Sequence, residues 1–217
     1  MTRRIRLSRA VLTLLVLFLL PWSVGCSEDS SPTVVLTPPD DALPLVSNAD
    51  LGRDQLVANL ELAYEQMNYA NYERTINSSY VFRVDPSDID IVGTDELSAA
   101  EDLTSTSAMF SGETGIETVF DSNGRPTGDS VIVPPVQSIH LSFTPESASW
   151  ILMEGGEFVG TWRRVYDVRM TVTYSGETRV DQITGKQIFY LIAATISIDD
   201  EELDVWQLRA WEDMGIS

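Results

Sequence analysis

The chain has 217 residues, with 33 acidic side chains against 14 basic ones, one histidine and one cysteine, for a formal net charge of −19 at pH 7. A surface of that sign repels nucleic-acid phosphates and anionic lipid headgroups, which argues against nucleic-acid binding. A lone cysteine excludes an intramolecular disulfide, and a lone histidine leaves no paired imidazoles for a metal site.

In chain order, Arg3, Arg4, Arg6 and Arg9 form a basic head. Residues 10–20 are an apolar run that stops at Pro21, too short for the ~20 residues of a membrane-spanning helix. A basic head, a short apolar core and the small residues Ser23, Val24 and Gly25 make the pattern of a signal peptide. Cys26 follows directly, and this junction resembles the lipobox of bacterial lipoproteins. The resemblance implies that residues 1–25 are removed, that Cys26 is acylated, and that the chain is a cell-envelope protein held to a membrane through that lipid. Each buried methylene of an acyl chain contributes roughly 0.8 kcal/mol to such anchoring. Ser27 stands where an aspartate retains lipoproteins in the inner membrane, so an outer-membrane location is expected in a host with two membranes. Residues 26–49 then form the lipidated cysteine and a tether. The tether holds Pro32, Pro38, Pro39 and Pro44, which keep such a segment extended and unable to build a core.

The domain spans residues 50–217. Leu56, Leu60, Ala63 and Met67 recur at helical spacing, widened by Val57 and Tyr64. A second short helix carries Tyr69, Tyr72 and Ile76, and Tyr80-Val81-Phe82 reads as a strand. Asp85-Pro86 opens a loop, because proline turns its predecessor away from helix. Asp95 is placed to cap a third helix, with Leu97, Ala100, Leu103, Ser107 and Phe110 along one side. Residues 116–120 and 131–133 are strands joined through the turn signal Asn123-Gly124.

From Val136 onward, long alternating segments appear. Ile139, Leu141 and Phe143 oppose Ser138, His140 and Ser142. Tyr166, Val168, Met170, Val172 and Tyr174 oppose Asp167, Arg169, Thr171 and Thr173. Residues 187–198 are apolar on both faces, as in a central strand. Trp206, Leu208 and Ala210 alternate with Gln207, Arg209 and Trp211, and Glu212 shares the parity of Trp206. Residues 199–202 are an acidic hairpin tip.

Helices first and a long antiparallel sheet afterwards define an α+β domain. The order of elements, with Leu60-Glu61-Leu62-Ala63-Tyr64, Asn68-Tyr69-Ala70-Asn71-Tyr72, Tyr80-Val81-Phe82 and the final residues 206–213, resembles a nuclear-transport-factor-2-like domain. That resemblance covers residues 50–213. It implies N-terminal helices packed into a strongly curved antiparallel sheet, a cone with a pocket. Residues 111–136 and 145–162 exceed the compact family pattern and are expected to form an extra hairpin and an enlarged strand connection. A lipocalin-like barrel is the rival, opposed by the three early helical segments.

His140 is the first catalytic suspect as the sole imidazole, but alternation places it on the outer face, so no catalytic residue is assigned. The acidic clusters lack calcium-loop spacing, so no metal or cofactor is assigned either. Under the cone model Tyr64, Tyr72, Tyr166, Tyr174, Tyr190 and Trp206 point inward and are the candidate lining of a pocket. The leading expectation is a non-catalytic module that binds a small apolar molecule or another envelope protein. The alternative is an isomerase, dehydratase or cyclase using the cone interior. A buried ionisable residue in an open pocket favours the enzyme. A filled interior or an exposed apolar patch favours interaction.

Overall fold

The computed structural model describes residues 3–4, 52–86, 89, 93–121, 125–198 and 201–214. Cys26, the tether, Asn123-Gly124, Asp88, Asp90, Asp199 and Asp200 lie outside the described residues. The helices are α1 (Gly52–Glu65), α2 (Tyr69–Thr75) and α3 (Ala99–Phe110). The strands are β1 (Arg3–Arg4), β2 (Ile76–Arg83), β3 (Glu96–Ser98), β4 (Gly115–Phe120), β5 (Pro126–Val133), β6 (Val136–Pro145), β7 (Ile151–Leu152), β8 (Trp162–Tyr174), β9 (Val180–Ile198) and β10 (Glu201–Asp213).

The stripe predicted for α1 is the buried one: Leu56, Leu60 and Ala63 are 4 %, 2 % and 0 % exposed. Met67 ends this region with a positive φ of 48°. The next residue, Asn68, caps α2 by accepting a hydrogen bond from the Asn71 N–H at 3.0 Å. Ile76, expected on the face of α2, instead opens β2 in parallel register with Leu208 of β10. Its extended backbone lets the side chain reach the core.

Asp95 does not cap α3. Ser98 does, in a reciprocal capping box with Glu101, the arrangement that a Ser-x-x-Glu sequence encodes. The expected apolar side of this helix is also corrected. Ala100 is exposed and Leu103 and Ser107 only half-buried, whereas Asp102, Ser105, Thr106 and Met109 turn inward with Phe110. Leu97 is buried, but in β3 rather than on the helix.

The large sheet runs β3-β2-β10-β9-β8-β6, with β7 also on β8 and β1 on β9. Its pairs are antiparallel except β2 with β10 and β1 with β9. The helices cover one face, called here the inner face. Phe143 of β6 and Trp211 of β10 lie three strand spacings apart, roughly 14 Å in a flat sheet. Their ring centroids are nevertheless 5.8 Å apart, so the sheet curls over its inner face. The architecture is therefore the expected α+β one, helices packed into a curved and mostly antiparallel sheet.

The two segments beyond the compact pattern are as anticipated. β4 and β5 form a separate two-stranded hairpin, tied to the sheet where Arg179 meets Glu117 at 2.8 Å. The connection between β6 and β8 contributes β7 and then seats Phe158 on Ile188, Tyr190 and Ala210 of the outer face. Residues 187–198 are not buried throughout. Ala193, Thr195 and Ser197 are exposed, because β8 pairs with β9 only as far as Leu191, and β10 alone continues beside the remainder.

Parity in β10 is broken by a register shift between Leu208 and Ala210. A bulge exchanges the faces of every residue beyond it. Trp206 and Leu208 point inward before it, Trp211 and Asp213 after it. Glu212 consequently lies on the outer face, bonded to Arg83 at 3.0 Å and accepting from Tyr190 at 2.9 Å.

Candidate functional site

The inner face is a wall of rings. Tyr64 of α1 meets Tyr72 of α2 at 5.4 Å, Phe110 of α3 at 5.3 Å and Trp211 of the sheet at 6.5 Å, all edge to face. Phe189 lies 4.9 Å from both Phe143 and Trp211 and 5.1 Å from Tyr166. Edge-to-face geometry sets positive ring edges against negative ring faces, so this cluster is a directional network as well as an apolar one. Rings from helix and sheet touch across the middle of the interior.

Beneath the rings lies a buried carboxylate. Asp102 is 1 % exposed and accepts a short hydrogen bond from the Tyr72 hydroxyl. Burial pushes its carboxyl up to about 7, opposed by the Tyr72 bond, which favours the charged form. Burial first, and then the Asp102 charge, raise the hydroxyls of Tyr64, Tyr72 and Tyr80 above the usual phenol range. Three tyrosines from α1, α2 and β2 thus surround one carboxyl on α3.

At the end where α1 begins, Arg53 stacks on Trp162 at 4.0 Å and on Trp206 at 5.0 Å. Next to it, Asp54 accepts from the Trp150 indole at 2.9 Å and pairs with Arg164. At the opposite end, Tyr174 donates to Asp181 at 2.8 Å, and Arg179 holds the same carboxylate at 2.9 Å.

Of the six predicted lining residues, Tyr64, Tyr72, Tyr166, Tyr174 and Trp206 do face inward, each at most 5 % exposed. Tyr174 and Trp206 lie toward opposite ends of β8. Twelve residues of strand separate Tyr174 from Trp162, the neighbour of Trp206 around Arg53, or roughly 40 Å. Tyr190 is a correction. Phe189 takes the inner side, so Tyr190 faces outward, 4.4 Å from Phe158. His140 lies outward as expected, its side chain 80 % exposed and its Nδ1 2.6 Å from Glu65.

Sequence reasoning missed Asp102, because Leu103 and Ala100 drew the apolar stripe to the wrong side of α3. Counting back from Met109 through Thr106 to Asp102 gives the true face. It also missed Trp211, hidden by the bulge, and Gln187, read as the start of an apolar strand.

No family model matches the chain, and no curated protein matches it. Among solved structures, it is similar to a conserved protein from Planctomyces limnophilus, with a TM-score of 0.50, 13 % identity, and coverage of 75 % of this chain and 92 % of that one. A ketosteroid isomerase-like protein from Erwinia carotovora atroseptica gives 0.40, at 12 % identity, over 76 % of this chain and 93 % of that one. A putative dehydratase from the NTF2-like family, from Streptomyces avermitilis, gives 0.41, at 9 % identity, over 76 % and 94 %. At such identities the likeness is one of fold, and the chain shares its α+β fold with the Planctomyces protein.

Proposed function

We propose that the chain is a lipid-anchored envelope protein whose domain binds a partner molecule rather than catalysing a reaction. The anchoring half rests on the basic head, the short apolar run and the Gly25-Cys26 junction. The binding half rests on one observation: two inner-face carboxylates, Asp102 and Asp181, 1 % and 4 % exposed, are already engaged by Tyr72 and by Tyr174 with Arg179. A general base needs a carboxylate within hydrogen-bond reach of the substrate proton. A closed Tyr72–Asp102 pair under packed rings offers no such reach.

The second reading, an isomerase, dehydratase or cyclase, is favoured by the Asp102 carboxyl near 7, a value suited to proton transfer at neutral pH. The two separate in a turnover assay with a β,γ-unsaturated ketone, comparing the wild type with Asp102→Asn. The binding reading expects no isomerisation above the uncatalysed rate from either protein. Turnover by the wild type that disappears in Asp102→Asn would establish the enzyme instead.

A further inference from the structure

The large sheet guards two of its edges and leaves a third open. β3 is only three residues long, and β6 lies beside α1, whose Glu61 carboxylate accepts from the Phe143 N–H at 2.5 Å. A short strand and a covering helix are ordinary ways to keep a sheet edge from pairing with another chain. The third edge arises where β10 stops at Asp213, opposite Gln187, while β9 starts at Val180. Before Gln187, β9 follows β8 in unbroken register on its other side. The Met214 N–H reaches the Lys186 carbonyl at 3.1 Å, so Lys186 turns its backbone groups away from β8. Such groups alternate sides along a strand, so Val180, Gln182 and Thr184 turn theirs the same way. Gln182 and Thr184 are exposed, and no proline or bulge interrupts the stretch. Among the described residues one strand lies on this edge: β1, parallel to β9, with Arg3 opposite Asp181 and Arg4 opposite Gln182.

We infer that the edge of β9 from Val180 to Thr184 is a strand-addition site for an extended, basic segment of another protein. This rests on the binding reading above and names the class of partner. Backbone hydrogen bonds to Gln182 and Thr184 supply the affinity, as wherever a peptide extends an exposed sheet edge. Two observations set the charge of the partner. The net charge of −19 draws cationic segments toward the chain. The segment of this chain that lies on the edge is itself an arginine pair. The two cations that flank the edge do not oppose this, because carboxylates hold both: Arg179 with Asp181 and Glu117, Lys186 with Glu146 and Asp167. While residues 1–25 remain attached, Arg3 and Arg4 fill the site from within the chain; without them the edge stands open.

The probe is a fluorescein-labelled peptide copying residues 1–9, titrated by anisotropy into the full-length chain in a non-ionic detergent. The protein carries Arg3→Pro and Arg4→Pro, which take its own leader off the edge by removing two amide donors. It should bind the peptide saturably and at least about tenfold more tightly than the unaltered chain, where the tethered leader competes. A peptide N-methylated at Arg3 and Arg4 keeps every charge and loses those donors, and should bind roughly tenfold more weakly. A peptide with glutamate in place of its arginines should not bind. On the protein side, Thr184→Pro removes an edge N–H and spares the N–H groups that bond β8. It should weaken binding roughly tenfold, while Thr184→Val, which keeps the N–H, should not. Thermal melts verify folding, and the N-methylated peptide decides the matter on the unaltered edge if Thr184→Pro does not fold. Equal affinity for the methylated peptide would mean attraction between opposite charges alone and overturns the inference. No saturable binding, or full binding by a folded Thr184→Pro, overturns it as well. Ketone turnover is measured separately, so a missing strand site and a failed binding reading give different results.

Discussion

At the scale of single residues, Asp102 sets the clearest pH dependence. Tyr64, Tyr72 and Tyr80 pack around it from three elements, and Tyr69 senses its charge. Its folded carboxyl, raised to about 7, keeps a proton that an unfolded one, near about 3.9, has lost. Its contribution to stability is therefore fully present below about 3.9 and is lost as pH rises through about 7, at up to about 1.4 kcal/mol per pH unit. Asn keeps the acceptor for Tyr72 and cannot ionise. Urea melts should show Asp102→Asn gaining on the wild type steadily between pH 5 and about pH 7 and levelling off above it. A difference that stays constant with pH would mean that the carboxyl titrates normally. His140, by contrast, is at the surface, and His140→Gln should change stability by less than about 0.5 kcal/mol in the same melts.

At the scale of elements, α1 and the cap of α3 carry separable predictions. Leu60 is 2 % exposed in the main core, so Leu60→Ala should cost roughly 2–5 kcal/mol in urea denaturation. A loss under about 0.5 kcal/mol would place it outside the core. Ser98→Ala removes half of the capping box and should cost about 1 kcal/mol, whereas Asp95→Ala, next to the helix but not its cap, should cost little. Which elements were legible follows from how local their signals are. The α1 stripe, the alternation of β6 and β8, and the hairpin of β4 and β5 depend on periodicity within one segment, and each was readable. The face of α3, the outward turn of Tyr190 and the switch of parity at Arg209 depend on what lies opposite in the fold. A bulge leaves no periodic mark of its own, so simple alternation gives Trp211 and Glu212 exchanged faces, and only the register with Phe189 and Ile188 fixes them. The candidate site suffered most for the same reason. Its aromatic walls were visible as inward-pointing rings, but Asp102 and Gln187 are polar residues placed where a hydrophobicity pattern looks for apolar ones.

At the scale of the whole molecule, the domain and its N-terminal segment pose different questions. The domain's interior is dense with rings, and among the described residues most of its exposed large apolar side chains gather in two places, with Leu62 and Met214 apart from them. Ile116, Val131 and Ile132 lie on the hairpin, and Ile151, Leu152 and Val159 lie along the connection between β6 and β8. Among the described residues no helix is long and apolar enough to cross a membrane. The proposed association with a membrane rests on the Gly25-Cys26 junction and the lipid proposed for Cys26. The decisive measurement is metabolic labelling of the expressed full-length chain with an alkyne-tagged fatty acid, followed by gel detection beside Cys26→Ala. The wild type should carry the label and run at the size of a chain lacking residues 1–25, and Cys26→Ala should be unlabelled and unprocessed. A wild-type chain that takes up no fatty acid would contradict the proposed lipid anchor and, with it, the proposed placement of this domain at the cell envelope.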